Sequence, residues 1–225
     1  MNQGTIRDNL MRVRENIARA AGKAGRDPSE ITLVCVSKTK PAELVREALE
    51  AGATDFGENY VQEAEEKIPQ VGAGARWHMI GHLQSNKAAK AAALFQMIQS
   101  VDSVKLVWRL GRAARELGRT IDVLIEVNVG GEQTKTGAAP EEVPAVVEAA
   151  LSEEGLRLMG VMGIPPFLPD PDQVRPYFAE LRRIFETLPP EHRRVLSMGM
   201  SADYEAAIAE GSTMVRIGTA VFGAR

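Results

Sequence analysis

Apolar residues along this chain fall into two alternating patterns: short continuous runs, and longer stretches in which they recur every three or four positions. The first stretch, Thr5 to Ala24, spaces Ile6, Leu10, Val13 and Ile17 as one face of an amphipathic helix. From Ile31 onward the apolar runs predict strands near 31–37, 53–57, 76–81, 96–101, 121–128, 156–163, 195–200 and 213–218. Helical periodicity fills the gaps near 41–51, 60–67, 84–94, 103–118, 141–152, 172–188 and 203–210. Strict alternation of strand and helix implies a parallel sheet. Eight strands, a helix after each of the first seven and one before the first point to an α/β protein, a closed (β/α)8 TIM barrel with an extra N-terminal helix. An open Rossmann-like layer fits less well, because no G-x-G-x-x-G follows the first strand and no P-loop occurs.

Strand parity refines the picture, since alternate residues of a barrel strand serve the helix layer and the interior. In the fifth strand Ile121, Val123, Ile125 and Val127 share the helix-facing parity, whereas Asp122, Leu124, Glu126 and Asn128 face inward. Thr32, Val34, Val36 and Lys38 share a face, as do Met214, Arg216 and Gly218, so both cations can point inward. A buried charge left alone costs several kcal/mol. Arg216 therefore needs an anionic neighbour, and Glu126 or a ligand is the candidate.

With 225 residues and 44% hydrophobic content, the chain is large enough to bury one full core, and residues 1–225 are expected to form a single domain. Thirty acidic against 27 basic side chains, with no Lys/Arg block, argue against nucleic acid as the main partner. The single cysteine, Cys35, lies in an apolar strand, which excludes a disulfide framework and suits a reducing cytoplasm. No apolar run approaches the roughly 20 residues needed to cross a bilayer. A closed barrel stands alone, so a monomer is expected, with Trp108 and Phe167 assignable either to a surface patch or to the core. The histidines are too scattered for a metal site.

Lys38 closes the first apolar run, at the end of a barrel strand where loops gather around ligands. A lysine shielded there loses its proton more readily than one in water, and a neutral amine attacks an aldehyde. The plainer alternative is a solvated ammonium that begins a loop. The last strand ends in Gly218-Thr219 and the seventh leads into Gly199-Met200-Ser201, so small residues and hydroxyls meet where barrels commonly bind phosphate. A tight turn is the competing account of Gly218-Thr219. Arg216, two residues before Gly218 on the inward face, would reach the interior end of a ligand whose phosphate sits at the rim. An aldehyde held by Lys38, a ring nitrogen met by Arg216 and a phosphate on the last two loops describe pyridoxal 5'-phosphate.

The strings Val36-Ser37-Lys38-Thr39-Lys40-Pro41, Gly57-Glu58-Asn59-Tyr60, Trp77 to Lys87, Gly199-Met200-Ser201-Ala202-Asp203 and Ser212 to Gly223 closely resemble the pyridoxal phosphate homeostasis proteins, across nearly the whole chain. That family is related to the alanine racemase barrel. The resemblance implies that Lys38 carries pyridoxal 5'-phosphate as an internal aldimine, with Lys40 the lesser candidate. It also implies Arg216 at the pyridine nitrogen, Ser201, Gly218 and Thr219 on the phosphate, and Asn59 near the ring. Family members vary at His82 and from Pro165 to Gln173, so neither receives a role. His78 fits a hydrogen-bonded core histidine better than a ligand contact, and Lys135 fits a solvated loop lysine or a phosphate contact.

Two-base racemisation needs a second participant, supplied in racemase relatives by a tyrosine from an added domain and a partner subunit. Here Tyr60, Tyr177 and Tyr204 all lie within the barrel sequence. A cation at the ring nitrogen also weakens the ring as an electron sink. The resulting expectation is a non-catalytic protein that buffers pyridoxal 5'-phosphate and hands it to apoenzymes. The alternative is a weak racemase, or another enzyme acting at Cα of a small amino acid.

Overall fold

A computed structural model of the chain describes residues 4–131, 136–168 and 170–223. In chain order its elements are α1 (Ile6–Lys23), β1 (Thr32–Val36), α2 (Ala42–Glu50), β2 (Asp55–Glu58), α3 (Val61–Val71), β3 (Arg76–Met79), α4 (Ala88–Leu94) and β4 (Met97–Val101). They continue as α5 (Val104–Glu116), β5 (Ile121–Val127), α6 (Val143–Leu151), β6 (Leu156–Gly163), α7 (Pro171–Phe185), β7 (Val195–Ser197), α8 (Tyr204–Ala209), β8 (Met214–Ile217) and α9 (Thr219–Phe222). The strands pair in parallel in sequence order, and β8 returns to β1 to close the barrel expected from the alternating pattern.

Helix α1 starts where Thr5 and Asp8 satisfy each other's backbone N–H, at 3.2 Å in both directions, a capping box that supplies donors' partners at the first turn. It buries Ile6, Leu10, Val13 and Ile17, the face its spacing predicts. It packs against α2, α8 and α9, filling the arc of the helix ring that the four-residue α9 is too short to cover.

Inside the barrel the side chains sort by strand parity. Val34, Met97, Leu124, Met162 and Met214 form an interior cluster, and Ile121, Val123, Ile125 and Val127 belong to the larger cluster beneath the helices. Each such side chain contributes about 1.5–3 kcal/mol on burial. Between β5 and β6 the register slips after Val123, so that Leu124 pairs with Gly160. A side chain could not occupy that bulge: Gly160 has φ +151, and a Cβ there would lie 1.9 Å from the Val195 carbonyl oxygen.

Several boundaries differ from the sequence expectation. The helix expected to end at 67 runs on to Val71 with Pro69 inside it, and Gly72 at φ 83 ends it. The helix expected from 84 opens with a 3-10 turn at Ser85–Lys87 before α4. The seventh strand stops at Ser197 rather than 200, and α9 is an element the periodicity did not signal, being too short to show one. Methionine is not uniformly interior, since Met11 and Met200 are exposed. Trp108 and Phe167 are surface residues, 59% and 84% exposed. No helix of the described residues is long and apolar enough to cross a membrane.

Candidate functional site

Strand β1 ends at Val36, so Lys38 lies in the turn beyond the strand rather than closing it. The cause is local. The Ser37 carbonyl accepts the Lys40 N–H at 3.0 Å and the Lys67 ammonium at 2.8 Å, which removes it from the ladder. Thr39 adopts φ +63, a left-handed conformation unusual for a β-branched residue, and its N–H donates to the Glu63 carboxylate at 2.5 Å. Beneath the turn Lys67 also donates to Glu58 and Glu63, both at 2.7 Å, and the Ser37 hydroxyl donates to Glu58 at 2.6 Å. Burial pushes the Glu58 carboxyl above its ordinary 4.5, with the hydrogen bonds from Lys67 and Ser37 opposing that shift. Helix α3 thus grips the turn that carries Lys38 through a buried ionic cluster. Lys38 itself is half-buried and continues the parity of Val34.

Lys40 is directed elsewhere. Its ammonium donates to the carbonyls of Phe222 and Gly223 at 3.3 and 3.2 Å, tying the loop after β1 to the end of α9.

Arg216 is buried, and pairing of Val34 with Arg216 places it on the inner face beside β1. The expected ion pair with Glu126 does not form. Arg216 donates instead to the Ser197 hydroxyl at 2.6 Å and to the Gly163 carbonyl at 3.1 Å. Glu126 accepts from the Thr136 hydroxyl at 2.6 Å and keeps its other carboxylate oxygen buried without a partner. Desolvation raises the Glu126 carboxyl above its ordinary value and lowers Arg216 to about 10, which still leaves the guanidinium charged at neutral pH.

From Ser197 the hydrogen bonds continue across the barrel, to Gln99 at 2.7 Å, from Gln99 to His78 at 3.0 Å, and between His78 and Asp55 at 2.8 Å. His78 is the core histidine that sequence favoured, and burial holds it below its ordinary 6.5. Gln99, Ser197 and Asp55 were not singled out from sequence. The available signal was a polar residue at an inward position of an otherwise apolar strand, as in Met97-Ile98-Gln99 and Val195-Leu196-Ser197.

The remaining candidates lie at the C-terminal ends of neighbouring strands. Asn59 follows β2, with its backbone against Gly81, where a Cβ would come within 2.5 Å of the Asn59 carbonyl oxygen. It lines a cavity of about 420 Å³ with Tyr60, Met79 and His82. Ser201 and Thr219, both exposed, share another cavity of about 460 Å³ with Asn9, Asn16 and Tyr204. Gly218 lies directly against β1, where a Cβ would meet the Val36 carbonyl oxygen at 3.1 Å. The Gly199 carbonyl accepts the Arg216 N–H at 3.0 Å, which joins the two loops. Lys38, Asn59, Ser201, Arg216, Gly218 and Thr219 therefore come from β2, β1, β8 and β7, four consecutive staves at one end of the barrel.

His82 approaches Asp102 at 3.5 Å on the surface. Lys135 lies outside the described residues. No group of acidic, histidine or cysteine side chains able to hold a metal occurs among the described residues.

The donor set suits a phosphorylated aromatic aldehyde. Among the described residues Arg216 uses two of its five N–H donors, leaving a buried cation able to meet an acceptor. Small residues and hydroxyls lie at the rim beside it.

Comparison with known proteins agrees in family. Residues 9–225 match the family described as alanine racemase, N-terminal domain. The pyridoxal phosphate homeostasis protein of Pseudomonas aeruginosa is 47% identical over 222 residues, covering 98% of this chain and 96% of the relative. That of Escherichia coli K12 is 43% identical over 233 residues, covering 98% and 97%. Among solved structures, PipY of Synechococcus elongatus with PLP bound is 37% identical at a TM-score of 0.77, covering 92% of this chain and all of that one.

Proposed function

This chain belongs to the pyridoxal phosphate homeostasis protein family, built on the alanine racemase N-terminal domain, and from that premise we propose that it binds pyridoxal 5'-phosphate reversibly through a Schiff base on Lys38. Its role is to buffer the cofactor and pass it to apoenzymes, with residues 1–225 acting as one binding domain. When bound, the cofactor supplies an aldehyde that condenses with a primary amine with loss of water, a step that hydrolysis reverses. PLP-bound PipY supports this reading at 37% identity.

The chain's own residues divide the task. Lys38 offers the amine from a turn fixed by Glu63 and Lys67. Arg216 offers a donor to the ring nitrogen and, as a cation, disfavours a proton there. Asn59 flanks the ring, and Ser201, Gly218 and Thr219 receive the phosphate. The observation that carries the reading is Arg216 itself, a buried inward-facing cation bonded to a hydroxyl and a carbonyl rather than to a carboxylate. Such a charge is stabilised by an acceptor-rich ligand.

The same residue supports a carrier over an enzyme, because a cation at the ring nitrogen weakens the electron sink that chemistry at Cα needs. Tyr204 is buried on α8, where that helix packs against α1. Every contact in the proposal comes from one copy, so a monomer suffices, and the cytoplasm is the proposed compartment.

The test is an absorbance spectrum of purified protein with added pyridoxal 5'-phosphate, before and after borohydride. A reducible visible band in the wild type, lost in Lys38→Ala, is expected. A wild type without spectral response sinks the proposal, and deuterium exchange at Cα of amino acids at about 10 per second, an ordinary enzymatic rate, sinks the carrier role.

A further inference from the structure

The bonds that run from Arg216 through Ser197, Gln99 and His78 to Asp55 have a direction imposed by chemistry. Arginine has N–H donors and no acceptor. The Ser197 oxygen therefore accepts from Arg216, and its own proton goes to the Gln99 carbonyl oxygen. The Gln99 amide must then present its nitrogen to His78, so His78 Nδ1 accepts and His78 Nε2 carries the proton that is donated to Asp55. Each interior member is locked into one orientation: the hydroxyl rotor, the amide flip and the imidazole tautomer. Asp55, held further by the Thr54 hydroxyl at 2.7 Å, ends the chain with an anion. The positive end lies on β8 and the negative end on β2, flanking Val34 of β1, and the chain between them runs the other way through β7, β4 and β3, so that four hydrogen bonds align their dipoles between two charges.

We propose that Ser197, Gln99 and His78 are positioning residues for Arg216, a directed hydrogen-bond chain, anchored on Asp55, that fixes the guanidinium in the pose in which it meets the ring nitrogen of the bound cofactor. This rests on the pyridoxal 5'-phosphate reading above and extends it to residues that do not touch the ligand. The chain supplies what a carboxylate beside Arg216 would supply elsewhere, a fixed orientation and partial neutralisation. It does so with a hydroxyl and a backbone carbonyl, rather than a carboxyl group, hydrogen-bonded to the guanidinium.

The test has two arms. In the ligand-free arm, side-chain ¹⁵N NMR of the native protein reports the His78 tautomer. A proton on Nε2 with Nδ1 bare is expected, and a proton on Nδ1 overturns the proposal. In the second arm, Ser197→Ala, Gln99→Met and Ser197→Thr are titrated with pyridoxal 5'-phosphate and their absorbance bands compared with the wild type. Ser197→Ala and Gln99→Met should bind about tenfold more weakly, the loss of one charge-assisted hydrogen bond, with an altered band ratio. Ser197→Thr, which keeps the hydroxyl, should restore both. Wild-type affinity and spectrum in Ser197→Ala and Gln99→Met overturn the positioning role while leaving the cofactor reading intact. A wild type that binds no cofactor overturns the cofactor reading and the positioning role together.

Discussion

The Lys67 ammonium lies 2.8 Å from the Ser37 carbonyl oxygen, on the peptide group that links Ser37 to Lys38. A lysine twenty-nine positions downstream of Lys38 thus shapes the turn that presents it. The same ammonium holds Glu58 and Glu63, so the turn, the strand end and α3 share one buried cation. Breaking a buried pair by removing one member typically costs about 3–5 kcal/mol, because the other charge is left unpaired. Lys67→Met should lower the unfolding free energy by that order, read as a lower urea midpoint, and Lys67→Met with Glu58→Gln should recover part of the loss. Equal midpoints for Lys67→Met and wild type would refute the cluster's structural role.

Glu126 makes the barrel sensitive to rising pH. Its folded carboxyl is raised above the ordinary 4.5, chiefly by burial. Below that value both folded and unfolded chains hold the proton. Above it the unfolded chain releases the proton first, the native state holds more protons, and stability falls as pH rises until the folded group also ionises. Glu126→Gln removes this contribution while keeping an acceptor for Thr136. Urea midpoints followed upward from pH 4.5 should therefore fall less steeply in the variant, and parallel profiles would remove Glu126 as the source.

Gly199 has φ +95, and a Cβ there would stand 2.6 Å from the Ala207 side chain and 2.9 Å from the Tyr204 backbone. Both the conformation and the space require glycine at the loop that leads to Ser201. Gly199→Ala should cost at least about 1–3 kcal/mol and weaken cofactor binding alongside. Thermal unfolding and a pyridoxal 5'-phosphate titration check the two effects together.

Lys40 shares the sequence neighbourhood of Lys38 but donates to the last carbonyls of α9. Borohydride reduction of cofactor-loaded protein followed by peptide mapping should place the adduct on Lys38 in the wild type and in Lys40→Ala alike. An adduct on Lys40 would reassign the attachment.

Burial pushes the Cys35 thiol up to about 12, so the thiolate that reacts with alkylating reagents is scarce at neutral pH. Iodoacetamide at pH 8 should leave native protein unmodified and label the denatured chain once, read by mass spectrometry. Rapid labelling of native protein would contradict the buried, inert environment.

Much of the barrel was legible because its cause is local. Alternation of apolar runs with helical periodicity fixes which segments become strands and which helices, and parity within Ile121–Val127 already separates the helix-facing from the inward side chains. Lys38 and Arg216 stood out as cations on an inward parity, and the loops after β7 and β8 as small residues and hydroxyls at strand ends. Boundaries were less legible where a long-range contact sets them. Val36 ends β1 because Lys67 takes the next carbonyl, and no pattern near residue 36 encodes that.

The partners of the inward polar groups belonged wholly to tertiary structure. Glu126 and Arg216 share an inward parity and opposite charge, yet Glu126 turns to Thr136 and Arg216 to Ser197. Parity tells which face a side chain occupies, because it follows from the geometry of successive residues in one strand. Who meets whom on that face depends on stagger and closure, which bring together Asp55, His78, Gln99, Ser197 and Arg216 from five staves of the barrel.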